Sequence, residues 1–194
     1  MRFDRPVLAF DTSAAHCAAA LLLADGTVHT RVEEMSKGQA ERLMPLVEEL
    51  LTEHHLKMAD LGAIGVGIGP GNFTGIRISV SAARGIALGL GIPAIGVDGF
   101  DARAYGSEGP VTTVISAPRG QVYVRDDNSA PEMRSAEDAS PYPIVPEPTA
   151  HQLIENVARI AAERATTKQP RPAPLYVRAA DAAPPRDAAP KILT

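Results

Sequence analysis

The sequence of 194 residues holds one cysteine, Cys17, so it can build neither a disulfide framework nor a multi-cysteine metal site. Cys17 lies inside the apolar run CAAALLLA, where a thiol behaves as a small buried hydrophobe. The opening MRFDRPVLAF places an acidic residue ahead of any apolar stretch and lacks the apolar core of a secretory leader. No run approaches the roughly 20 apolar residues that span a bilayer, and a soluble cytoplasmic protein is the expectation. Excess positive charge is missing too: nine basic face twelve acidic residues over 1–104, and ten face eleven beyond, so neither half carries a nucleic-acid footprint. His54 and His55 are adjacent and point to different sides of a helix, while His16, His29 and His151 are scattered, which leaves no paired-histidine metal site. A GxSxG elbow is absent, and no Cys-His pairing can be argued.

What is present reads as an α/β chain, 45% hydrophobic and 22% charged. PVLAFDTS is a short buried strand ending in a polar turn. CAAALLLADGTVHTRVEE gives two more strands joined at Asp25-Gly26, a hairpin signal. From Gln39 to His55 the residues Leu43, Met44, Val47, Leu50 and Leu51 recur at helical spacing, with Pro45 expected to kink the helix or mark its first turn. LGAIGVGIG fits a central strand, IRISVSAARGIALGLG a helix and IPAIGV a strand parallel to the first. Residues 1–98 thus form one lobe in the order βββαβαβ. Residues 99–194 form a smaller lobe, with strands at VTTVIS and QVYVRDD, one helix from Thr149 to Arg164 opened by a Thr149/Gln152 capping box, and a proline- and alanine-rich tail. Eleven of the 17 prolines fall at or beyond Pro131, so that tail wraps the surface in extended form or stays partly mobile.

Two stretches bear on chemistry. Asp11, Thr12 and Ser13, at the end of the first strand, suit a metal-bound water and a phosphate, or else satisfy backbone groups of the turn. In GIGPGNFTGIR, the residues Gly69, Gly71, Asn72, Thr74 and Gly75 can cradle an anion at a helix N-terminus. The same glycines can serve close packing, with Phe73 plugging the core and Thr74 capping the helix. The loop lacks the Lys-Ser/Thr pair of a Walker A motif. Small residues around Ser79, Ala82, Ala83 and Ala87, near Gly85 and Gly89, admit a close helix neighbour, and Arg77 and Arg84 lie seven apart on one face.

LAFDTSAAHCAAALL, GQAERLMPLVEELL, the long block from Ala59 to Val97, RGQVY and PLYVRAADAAPP together resemble the TsaB (YeaZ) family, densely over residues 7–98 and patchily beyond. The resemblance implies the ribonuclease-H-like fold of the actin-like ATPase, sugar kinase and heat-shock chaperone superfamily, as two unequal lobes with the second truncated. It also implies a non-catalytic scaffold in making threonylcarbamoyladenosine beside the tRNA anticodon, binding and activating a TsaD-like catalytic subunit with a TsaE-like ATPase as third component. On that reading the chain has no catalytic or metal-binding residue and no tightly bound cofactor. ATP or ADP is held only in the assembled complex, tRNA is met indirectly, and the free protein pairs as a homodimer. The implied interface is carried by Leu43, Met44, Val47 and Leu51 on one helix and Ile76, Arg77, Val80, Ala83, Arg84 and Ala87 on the next; a charge at Val80 or Leu51 then breaks association and leaves the monomer soluble. The family pattern has an acidic residue and an arginine before RGQVY, where this chain has Ser116 and Pro118. Two other readings stand beside this one: a nucleotide-hydrolysing or phosphotransferase enzyme with Asp11 as metal-water ligand, and, last, a glycoprotease-type peptidase.

Overall fold

In a computed structural model that describes residues 4–177, the VLAFD run forms β1 (Val7–Asp11), buried on both faces. The Asp25-Gly26 turn joins β2 (His16–Leu22) to β3 (Val28–Glu34). Leu23 N–H donates to the Thr27 carbonyl at 2.9 Å, and the Asp25 carboxylate accepts from Thr27 N–H at 2.8 Å. After α1 (Gln39–Glu53) come β4 (Ala63–Gly67), α2 (Phe73–Leu90) and β5 (Ala94–Val97), the βββαβαβ order that the apolar spacing predicts. The five strands form one mixed sheet in the order β3-β2-β1-β4-β5. β2 runs antiparallel to both β1 and β3, while β1, β4 and β5 are parallel. This is the ribonuclease-H-like arrangement. Pro45 stands inside α1 rather than in its first turn, on the exposed side of a helix that continues through it.

Because successive strand residues point to opposite faces, each apolar run supplies two cores. Leu8, Phe10, Cys17, Ala19 and Leu21 pack against Leu43, Leu46, Val47, Leu50 and Leu51 of α1 and Ile76, Val80, Ala83 and Ala87 of α2. Val7, Ala9, Ala18, Ala20 and Leu22 face the other way, toward Ile154, Val157, Ala158 and Ala161 of α4 (Ala150–Arg164). Cys17 is fully buried, and burial pushes its thiol up to about 11, which keeps it protonated and inert.

Beyond β5, Asp98 caps the short α3 (Gly99–Ala104), accepting from the N–H groups of Phe100 and Asp101 at 2.9 and 2.8 Å. A second, antiparallel sheet follows in the order β6-β7-β8, from β6 (Thr112–Ser116), β7 (Gln121–Asp126) and β8 (Glu132–Ser135). Arg125 of β7 ties it down, meeting Asp98 at 3.2 Å and Asp101 at 2.6 Å, while Arg164 of α4 also pairs with Asp101. Burial opposes ionisation of Asp101, yet bonds from Arg164 and Arg125 hold its carboxyl below the ordinary carboxylate range. The Thr149/Gln152 capping box forms at the start of α4 as its spacing predicts. Residues 168–177 belong to no helix or strand and meet the loop after β4, with Leu175 N–H donating to the Ile68 carbonyl at 2.8 Å; the rest of the proline- and alanine-rich tail lies outside the described residues. Among the described residues no helix is long and apolar enough to cross a membrane.

The helix read from Thr149 to Arg164 therefore closes the open face of the first sheet. A fragment ending at Asp98 lacks it and should give no cooperative thermal transition by calorimetry. In the full chain, Ile154→Ala should cost about 2–5 kcal/mol and lower the midpoint of a single transition.

Candidate functional site

The β1–β2 turn, the glycine loop and the two sheets enclose a cleft of about 540 Å³, within the size range of small-molecule sites. One wall holds Asp11, Ser13 and His16 with Gly69, Gly71 and Asn72. The other holds Asp98, Arg103, Ser116, Pro118, Tyr123 and Glu147, and Leu153, Ile154 and Val157 of α4 form an apolar floor. Asp11 ends β1 beside the fully buried strands. Its carboxylate accepts from Ser13 N–H at 2.7 Å and from Ser13 Oγ at 2.9 Å, with His16 Nε2 3.9 Å away. Burial works against the charge, but His16 and the Ser13 bonds outweigh it and hold the Asp11 carboxyl below its usual value. Across the cleft, burial dominates at Asp98 and holds its carboxyl above the usual range despite its backbone bonds and Arg125. Arg103 forks onto Glu147 at 2.6 and 3.1 Å. Among the described residues no group of three or more His, Cys, Asp or Glu side chains is placed to hold a metal ion.

The sequence-predicted phosphate-site residues divide. Asp11, Ser13, Gly69, Gly71 and Asn72 line the cleft, whereas Thr12, Thr74 and Gly75 do not. Thr12 is fully buried and its hydroxyl donates to the Gly75 carbonyl at 2.6 Å. A Cβ on Gly75 would lie 1.9 Å from the Thr12 carbonyl oxygen, and one on Gly71 would lie 2.4 Å from that of Ser13. The glycines there let two backbones touch. The cap expected at Thr74 belongs instead to Asn72, whose side-chain oxygen accepts from Gly75 N–H at 2.8 Å while its own N–H donates to the Ser13 carbonyl at 2.7 Å. Asn72 has the extended backbone a cap requires, and Thr74 is already the second residue inside the helix.

Phe73 does not plug the core; it is 54% exposed, stacked on Tyr176 with centroids 5.3 Å apart and the Arg77 guanidinium 3.9 Å from its ring. Sequence reasoning missed Tyr176 as its partner because they lie 103 positions apart. The inferred interface residues are corrected in the same way. Leu43, Val47, Leu51, Ile76, Val80, Ala83 and Ala87 are buried in this chain's own core, and Met44 is half-buried. Of that set only Arg77 and Arg84 are exposed. The outward face of α2 is the row Phe73, Arg77, Arg84 and Leu88, the last 83% exposed, and the outward face of α1 carries Glu41, Glu48 and Glu49. A charge at Val80 or Leu51 would disrupt the fold before any partner contact. Missed as well were Arg103 and Glu147, brought to the cleft by long-range topology with no local motif around them, and Tyr123, the last residue of RGQVY.

Gly75→Ala should cost about 1–3 kcal/mol through the forced shift of Thr12, and Asn72→Ala about 1 kcal/mol through the lost cap. Thermal denaturation should rank wild type above Asn72→Ala above Gly75→Ala; equal midpoints for wild type and Gly75→Ala would contradict the packing role of this loop.

Residues 27–176 match the family model described as TsaD, tRNA N6-adenosine threonylcarbamoyltransferase. The chain is 37% identical over 131 residues to the tRNA threonylcarbamoyladenosine biosynthesis protein TsaB of Escherichia coli (strain K12), covering 63% of this chain and 56% of that protein. It is 35% identical over 120 residues to the protein of the same name in Bacillus subtilis (strain 168), covering 60% and 52%. It thus spans about half the length of the curated relatives it matches. A crystal structure of a protein with similarity to peptidase YeaZ from Pseudomonas aeruginosa superposes with a TM-score of 0.67 at 25% identity, over 90% of this chain and all of that one. The βββαβαβ lobe, the turn packed on its glycine loop and these matches agree: the chain belongs to the TsaD family, on its TsaB/YeaZ branch.

Proposed function

We propose that this chain is a non-catalytic subunit in the biosynthesis of threonylcarbamoyladenosine in tRNA, binding and activating a TsaD-like catalytic subunit. The observation that carries this reading is where the phosphate-loop groups go. A lobe that uses ATP turns its loop N–H groups and its first-strand carboxylate toward phosphate and a metal-bound water. Here Asn72 N–H and Gly75 N–H are taken by the Ser13 carbonyl and the Asn72 side chain, and Asp11 is engaged by Ser13 and His16. Freeing them means breaking these bonds within and between the β1–β2 turn and the glycine loop.

The surface offers the complementary support. Phe73 and Leu88 at either end of the outward face of α2, with Arg77 and Arg84 between them, supply an apolar and basic row of the kind that anchors protein interfaces. The partner set follows the family reading: a TsaD-like subunit on this row, a TsaE-like ATPase in the same complex, and a second copy of the chain when both are missing. Any ATP or ADP is held by the assembled complex, tRNA is reached through the partner, and the work is cytoplasmic.

The test is reconstitution with a TsaD-like subunit, measuring threonylcarbamoyladenosine in tRNA by mass spectrometry. The chain alone should form none, and its addition should raise the yield of the mixture. Leu88→Asp with Arg84→Glu should weaken association at least tenfold, about 1.4 kcal/mol, with an unchanged melting temperature. Magnesium-dependent ATP hydrolysis by the purified chain alone, lost in Asp11→Ala, would overturn the reading in favour of the enzyme alternative.

A further inference from the structure

β3 is the outer strand of the large sheet, and a polar seam joins it to α1. At one end Arg42 bridges Glu33 of β3 and Glu49 of α1, both at 2.6 Å; in the middle Arg31 meets Glu49 at 3.3 Å and Glu53 at 2.5 Å. At the far end His29 of β3 lies against His54, the residue that closes α1, with ring centroids 3.7 Å apart and planes inclined by 27°. Both side chains are half-buried. Rings stacked face to face do not converge their nitrogens on one point, so the pair is not built to hold a metal ion.

Stacking makes the pair sensitive to proton number. Two neutral rings attract through dispersion, and a single imidazolium still finds the π face of its neutral partner. Two imidazoliums at this distance repel, and Arg31 adds a third positive charge two residues from His29 on the same face of the strand. The groups facing the stack are Arg31 from β3 and Glu53 and His55 from the end of α1; Glu53 is engaged with Arg31. Burial first, and then His29, hold the His54 imidazole below its ordinary value. Arg42, through its hydrogen bonds, holds Glu33 and Glu49 below theirs, so the rest of the seam stays charged when the histidines titrate.

We propose that His29 and His54 form a proton-coupled latch that keeps the end of α1 on the edge strand β3 with no proton or one, and releases it when the second proton binds. The sign follows from linkage. A histidine depressed in the folded state contributes stability that is complete above its unfolded value and is lost as the pH falls through that value toward the folded one.

The experiment is an NMR titration of the full chain from pH 8 to pH 4.5, following the imidazole carbons and the amide exchange of residues 29–31 and 51–54. The His54 ring should titrate below its ordinary value, and exchange at those amides should speed up as it takes its proton while residues 7–10 stay protected. His29→Gln should displace the His54 step upward and remove the acid acceleration. His54→Gln should likewise remove the acid acceleration, so the idea does not depend on one variant folding. A His54 step that His29→Gln leaves in place, or amide exchange indifferent to that step, would overturn it.

Discussion

The rest of the large lobe hangs on one backbone contact, the Thr12 carbonyl resting against the Cα of Gly75. There is no room for even one carbon between them. The contact joins the end of β1 to the first turn of α2, elements far apart in the chain, and the Thr12 hydroxyl locks it by donating to the Gly75 carbonyl. It sets the depth of α2 on the sheet, and hence how Ile76, Val80 and Ala83 meet Phe10 and Val66 in the core. It also fixes the path of the loop before α2, whose Gly69 carbonyl accepts from Gly99 N–H at 2.8 Å and so orients the start of α3. From α3 the constraint passes through Asp98 and Asp101 to Arg125, and so to the small sheet. Both walls of the cleft are thus placed by the same joint.

Seen from that joint, the uneven legibility of the sequence has a physical cause. The strands and the helices α1, α2 and α4 are readable because each carries a local signal: β2 is an unbroken apolar run from Cys17 on, the Asp25-Gly26 turn forces the reversal, and Thr149 with Gln152 announces α4. The face on which α4 lands carries no local signal. Val7, Ala9, Ala18 and Ala20 look like any buried strand residues, and only the filled opposite face determines that α4 must cover them. α3 and β8 carry no such signal: GFDARA is under two helical turns long, and EMRS, no shorter than β5, lacks the apolar run that marks β5.

At the site the reading separated by range of interaction. Asp11 and Ser13 were found because they sit together in the chain, and they do meet in the cleft. The sequence points to Thr74 as the cap, yet Asn72 fills that place; the choice is made by backbone conformation, extended at Asn72, which composition does not encode. Phe73 was expected inside because large aromatics usually are, yet Tyr176 and Arg77 cover it in place of the core.

The helix faces carry the more general lesson. A stripe such as Leu43, Val47 and Leu51 has the same spacing whether it meets its own sheet or another protein, since the transfer of apolar surface from water is indifferent to what replaces the water. The chain's own sheet, however, is covalently attached and always at hand, so the best stripe is spent there. What is left for a partner is the outward remainder, Phe73, Arg77, Arg84 and Leu88 on α2 beside an acidic α1. Such a remainder is too mixed in character to register as a stripe in sequence. It becomes visible only once the buried positions have been subtracted, and that subtraction requires the fold.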